Sequence, residues 1–121
     1  MHANTAKALK KILQAAQAIR NLEEKAHAAL HGQGDQKAHR ALMVEKCLIL
    51  VDLPDDIAQI MTGQEPEAAE LNAGLADFRR RAGQALKLES IFYMSSLLYP
   101  DDYQPGQPND LERFVERFVG P

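Results

Sequence analysis

Glutamate and histidine side chains that can bind a metal or exchange a proton lie close together in the sequence at Glu23, His27, His31 and His39. His27 and His31 are four residues apart, so on a helix their imidazoles share a face and can bind one metal ion. His39 or Asp35 is a candidate third ligand across a short turn. Glu23 and His31 are about 12 Å apart along a helix axis, too far to share an ion. Because nothing fixes the third ligand, we expect only weak binding of a metal such as zinc at His27, His31 and His39, or a polar helix end without metal.

Other reactive side chains offer few combinations typical of an enzyme. The chain has three Ser and two Thr, which leaves few candidate hydroxyl nucleophiles. Glu24 and His27 have the spacing used in di-iron bundles, but no second Glu-x-x-His motif accompanies them. Cys47 has no His or basic residue three or four positions away, so we expect an inert thiol in an apolar face. We therefore assign no catalytic residue and no cofactor.

Composition indicates one globular domain in a reducing compartment. The 121 residues are 45% hydrophobic and 26% charged, and the net charge is −3. This acidic balance, and the fanning of Arg79–Arg81 around a helix, argue against nucleic-acid binding. One cysteine excludes an internal disulfide, no secretory segment is recognisable, and the apolar run 47–51 is too short to span a membrane. We expect a soluble, cytoplasmic protein without a nucleic-acid or membrane partner.

Apolar residues recur at helical spacing along almost the whole chain, which predicts an all-α fold. The expected architecture is a small bundle of four to five amphipathic helices with antiparallel neighbours. Gly32 is expected to end the first helix in a left-handed conformation, and Pro54 to stop or kink the second. The expected helical segments are residues 5–31, 35–53, 54–62, 66–98 with a break near Ser90, and 110–119.

The second helix is apolar on two sides, which predicts that it is buried on two sides. Leu48 is assigned to its core face, as Phe78 is in the third long segment. Three amphipathic neighbours are not expected to cover such a helix completely. This pattern therefore predicts self-association through the second helix or the C-terminal segment, with a homodimer as the simplest product. The alternative is that the second helix is the central helix of a monomer.

The chain is expected to divide into a helical bundle over residues 1–99 and a Pro-rich loop with a C-terminal amphipathic helix over residues 100–121. This last helix should dock on its own domain or on a second copy, because nine residues are too few to stay helical alone. Its candidate partner-binding residues share one face: Phe114, Val115, Phe118 and Val119.

These observations favour a non-enzymatic helical interaction module, such as an adaptor, a small chaperone or a regulatory subunit. The expected partners are a second copy of the chain and another protein. The alternative is a small-ligand or metal-binding helical protein, with or without catalytic activity. Its site would lie near Glu23, His27, His31 and His39, with zinc as the candidate metal.

Overall fold

The computed structural model describes residues 1–120, and all regular secondary structure in that range is helical. The helices pack against one another as a small bundle, which confirms the predicted fold class. The elements are α1 (Ala3–His27) with a π-helical extension (Ala28–Gly32), α2 (Gln36–Ala58), α3 (Ala68–Lys87), α4 (Ile91–Ser96) and α5 (Asp110–Val119).

Helix α2 is the centre of the bundle and contacts α1, α3 and α4. Each long helix turns one apolar face towards the others, as its three-to-four periodicity requires. Cys47 is fully buried in this core, as expected for a thiol on an apolar face. The largest aliphatic side chains of the core are Ile12, Ile19, Leu50, Leu53, Ile57, Leu71 and Leu75.

The turn between α1 and α2 is built differently from the prediction. Gly34, with φ of 65°, is the left-handed residue, whereas Gly32 still belongs to the π-helical extension of α1. The extension moves the reversal two residues along the chain, to the next glycine that tolerates positive φ. Asp35 caps α2 as expected, since its Oδ1 accepts a hydrogen bond of 3.0 Å from the Ala38 N–H.

Pro54 lies inside α2, so the prediction of a separate short helix over residues 54–62 is wrong. A proline deprives the carbonyl four residues earlier of its helical donor and crowds that turn. The carbonyl that loses its helical donor is that of Leu50. The side chain of Arg79 on α3 binds the same turn: its Nε donates to the adjacent Val51 carbonyl at 2.7 Å, and its Nη2 lies 3.0 Å from Asp55 Oδ2. A tertiary contact therefore joins this turn of α2 to α3.

The long segment after Pro66 breaks where it was expected to. Helix α3 ends at Lys87, and the Ser90 hydroxyl caps α4 by accepting from the Tyr93 N–H at 3.1 Å. Glu89 between them has φ of 52°, a left-handed conformation that turns the chain sharply. The break near Ser90 is confirmed, and it places α4 at a corner of the bundle.

Helix α5 packs on its own bundle, where it contacts α1 and α3. Phe114 meets Phe78 edge to face, with ring centroids 5.7 Å apart. The same ring covers Gly74 so closely that a methyl group there would overlap Phe114 Cε1. Asn109 and Glu112 form a capping box at the start of α5. The C-terminal helix is thus part of the core.

Glu65 ties the connection between α2 and α3 to the start of α1. Its carboxylate accepts hydrogen bonds from the Thr62 N–H at 2.9 Å, the Gly63 N–H at 3.0 Å and the Asn4 side-chain amide at 2.9 Å. These bonds, that of the Thr62 N–H foremost, lower the pKa of Glu65 to about 2.

The lowered pKa of Glu65 predicts a defined loss of stability in acid. The carboxylate stabilises the fold fully above its ordinary pKa of 4.5, and this contribution is lost as the pH falls towards about 2. Across that window, the free energy of unfolding measured by urea titration should fall less in Glu65→Gln than in the wild type. Glu45→Gln, at an exposed position on α2, serves as the control and should behave like the wild type. Equal pH dependence of wild type and Glu65→Gln would contradict the prediction.

Candidate functional site

A lysine on the central helix is completely removed from solvent. Lys46 is 0% exposed, and its Nζ lies 3.0 Å from Glu23 Oε2 on α1. The ammonium also donates to the carbonyl oxygens of Leu97 at 2.9 Å and Ser95 at 3.3 Å. The ammonium thus has two carbonyl acceptors and one ion-pair partner. Burial lowers the pKa of Lys46, and the Glu23 carboxylate opposes that shift.

Tyr99 completes this arrangement, which we call the Glu23–Lys46–Tyr99 cluster. The Tyr99 hydroxyl donates to Glu23 Oε1 at 2.5 Å, and its ring centroid lies 5.3 Å from Lys46 Nζ. Burial, followed by the hydrogen bond to Glu23, raises the pKa of the Tyr99 hydroxyl well above its usual value. The phenol therefore stays protonated and serves as a hydrogen-bond donor, which joins α1, α2 and the segment after α4.

The segment that joins α4 to α5, residues 97–109, crosses α1 and is called the strap below. Arg20 on α1 binds both the strap and the start of α5. The guanidinium donates to both carboxylate oxygens of Glu112 at 2.6 and 3.3 Å, to the Gln107 carbonyl at 3.1 Å and to the Tyr103 hydroxyl at 3.4 Å. The ion pair raises the pKa of Arg20 and lowers that of Glu112. Both groups stay charged at neutral pH, so the ion pair between Arg20 and Glu112 persists.

Two cavities flank the exposed side of the Glu23–Lys46–Tyr99 cluster. The larger, of about 640 Å³, lies between α1 and the strap. The smaller, of about 250 Å³, lies between the end of α1, α2 and α4. Glu23, His27 and Tyr99 line both of them. The larger cavity is also lined by Gln17, Arg20, Asn21, Glu24, Tyr103, Pro105 and Gly106, and the smaller by Ala26, His31, His39, Met43 and Ser95.

The structure brings Glu23, His27, His31 and His39 to the smaller cavity. The exposed rings of His27 and His31 have centroids 4.5 Å apart, as their helical spacing predicts. His39 Nδ1 lies 3.1 Å from the Ala26 carbonyl oxygen. Within residues 1–120, however, no three His, Cys, Asp or Glu side chains are arranged to hold a metal ion. Weak zinc binding at His27, His31 and His39 stays a prediction.

Sequence reasoning did not identify Lys46 or Tyr99 as members of a site. A signal was nevertheless present, because Lys46 occupies one position of a stripe that is otherwise apolar and runs along α2 with alternating steps of three and four residues. A single basic residue within such a stripe indicates a buried cation with a partner. The stripe consists of Met43, Lys46, Leu50, Leu53 and Ile57.

The four residues predicted to bind a partner are divided between core and surface. Phe114 and Val115 are buried against the bundle of the same chain and are not free for a partner in this structure. Phe118 is half-buried and Val119 is exposed. This division follows from the docking of α5 on α1 and α3, which uses most of its apolar face.

Three exposed large apolar side chains lie close together on or beside α4. We call Leu88, Phe92 and Tyr93 the α4 corner; they are 57%, 74% and 53% exposed. The rings of Phe92 and Tyr93 meet edge to face, with centroids 5.7 Å apart. Beside them is a cavity of about 340 Å³, lined by Arg81, Gln84, Ala85, Leu88, Tyr93, Ser96 and Leu97.

None of the helices in residues 1–120 has both the length and the apolar character needed to cross a membrane. No protein-family model matches the chain, and no curated protein and no solved structure is significantly similar to it.

Proposed function

We propose that this protein is a non-enzymatic helical interaction module that forms a homodimer through the α4 corner. The observation that carries the proposal is the exposure of Leu88, Phe92 and Tyr93 within six residues of chain. Isolated apolar side chains are common on protein surfaces, but clustered ones mark contact sites. Aromatic residues are also enriched at the centres of interfaces.

The shape of this surface supports a symmetric pair. Phe92 projects next to the cavity that Leu88, Tyr93 and Leu97 line. A two-fold interface places the same patch of each copy against the other. A projecting side chain next to a cavity can therefore fit into the cavity of the second copy, and the reverse. In the proposed dimer, Phe92 of each copy enters the cavity of its partner.

The charges at the rim of the α4 corner fit the same arrangement. Lys87 and Glu89 flank Leu88 and are both exposed. In a two-fold pair, opposite charges on either side of an apolar residue can meet their counterparts. Such pairs add orientation more than affinity. The pairs between Lys87 and Glu89 thus favour a two-fold symmetric contact over apolar association without a defined orientation.

The test is the molar mass in solution at tens of micromolar. We expect the wild type to have about twice the chain mass of 13.5 kDa by light scattering, and Phe92→Ser to be monomeric. Each copy buries one phenylalanine, at roughly 1.5–3 kcal/mol, so the variant should raise the dimer Kd on the order of 100-fold or more. Leu13→Ser, at an apolar position that is 47% exposed on α1, is the matched control and should stay dimeric. A monomeric wild type would refute the proposal.

A further inference from the structure

We propose that the larger cavity, between α1 and the strap, is a binding site for a small organic ammonium ion with an apolar group. Its volume of about 640 Å³ lies within the usual range of small-molecule sites. Tyr99, Tyr103 and Pro105 provide apolar walls. This site lies apart from the α4 corner and is independent of dimer formation.

The positive charges beside this cavity are already compensated. Arg20 directs its donors to Glu112, Gln107 and Tyr103. Lys46 is buried, forms an ion pair with Glu23 and donates to two carbonyl oxygens of the chain. Each cation thus has one carboxylate partner that balances its charge, so these charges do not favour an anionic ligand, although one of the five N–H donors of Arg20 is left without an acceptor.

Several acceptors at this cavity have no partner. Glu24 lines the cavity and is exposed, and it forms no ion pair within residues 1–120. The carbonyl oxygens of Pro105 and Gly106 accept no hydrogen bond in the same range. After Arg20 is matched with its carboxylate and Lys46 with its own, the charge that remains is the negative charge of Glu24. Such a lining favours a ligand that donates hydrogen bonds and carries positive charge.

The aromatic walls favour the same ligand. The rings of Tyr99 and Tyr103 meet edge to face, with centroids 4.7 Å apart. The Tyr99 ring already lies near two cations, Lys46 Nζ at 5.3 Å and Arg20 Cζ at 6.0 Å. Within residues 1–120, no such cation contact involves the ring of Tyr103. A ligand ammonium near Glu24 can therefore use the face of Tyr103, while its apolar group lies against Pro105.

The test compares probes of equal shape and opposite charge on the full-length protein. Phenethylamine and hexylamine are titrated, with phenylacetate and hexanoate as their anionic counterparts, and amide shifts are followed by NMR. We expect saturable shifts for the amines within residues 17–27 and 99–106, and affinities at least about tenfold weaker for the carboxylates. Failure of both amines to saturate, or equal affinities for the two charge types, would overturn the proposal.

Substitutions in the cavity lining test where on the protein the amines bind. Glu24→Gln and Tyr103→Leu should each weaken amine binding about five- to tenfold, because each removes one attraction for the cation. Glu45→Gln removes an exposed carboxylate of α2 that does not line the cavity, and it should bind like the wild type. Amine affinity unchanged in both Glu24→Gln and Tyr103→Leu would assign binding elsewhere and refute this site.

Discussion

Replacing Lys46 by methionine is expected to lower the free energy of unfolding by about 3 kcal/mol. The substitution removes the counterion of Glu23, and the carbonyl oxygens of Ser95 and Leu97 lose their donor. Breaking a buried ion pair on one side is costly because the remaining charge stays desolvated. The side chain of Glu23 is 19% exposed, so partial hydration keeps the effect at the low end of the usual range. Urea unfolding followed by circular dichroism measures the change.

A second substitution separates the effect of the unpaired Glu23 charge on stability from the effect of replacing the Lys46 side chain. Glu23→Gln removes the negative charge but keeps an acceptor for the Tyr99 hydroxyl. The double variant Glu23→Gln with Lys46→Met should therefore be more stable than Lys46→Met alone, by on the order of 1 kcal/mol in a double-mutant cycle. If Lys46→Met unfolds at the wild-type urea concentration, the cluster does not stabilise the fold as argued.

Phe78→Ala is expected to lower the free energy of unfolding by about 3–5 kcal/mol. Phe78 is buried on α3, where its ring contacts Phe114 of α5 and lies 5.0 Å from the guanidinium carbon of Arg81. Truncation leaves a cavity between α3 and α5 and removes the edge-to-face pair that helps to hold α5. Amide exchange in α5 should accordingly accelerate more than in α1 or α2.

Leu48→Ala is the matched comparison for Phe78→Ala. The sequence analysis assigned Leu48 to the core face of α2, and this assignment is wrong, since the side chain is 45% exposed. Its truncation should lower the free energy of unfolding by less than about 1 kcal/mol. Similar urea midpoints for Phe78→Ala and Leu48→Ala would contradict the observed packing. The error arose because a helix that is apolar on two sides does not reveal which side its neighbours cover.

The helical elements were largely predictable because their signals are local. Periodic apolar residues, the Asp35 cap and the break before Ser90 each depend on interactions within a few positions of the chain. Pro54 is the informative exception. Its local signal predicted a helix end, but α2 continues to Ala58, and Arg79, 25 residues after the proline, donates to the carbonyl of Val51 in the turn before it. A donor so distant along the chain cannot be anticipated from local pattern.

The candidate site shows the same division between local and tertiary information. Sequence alone determined an all-helical chain in which His27 and His31 share one helix face, because helical spacing sets which side chains are neighbours. Only the tertiary structure decided that Lys46 is buried, since a cation can leave water only where partners meet it. Those partners, Glu23 on α1, the Ser95 carbonyl on α4 and the Leu97 carbonyl in the strap, converge when the bundle closes.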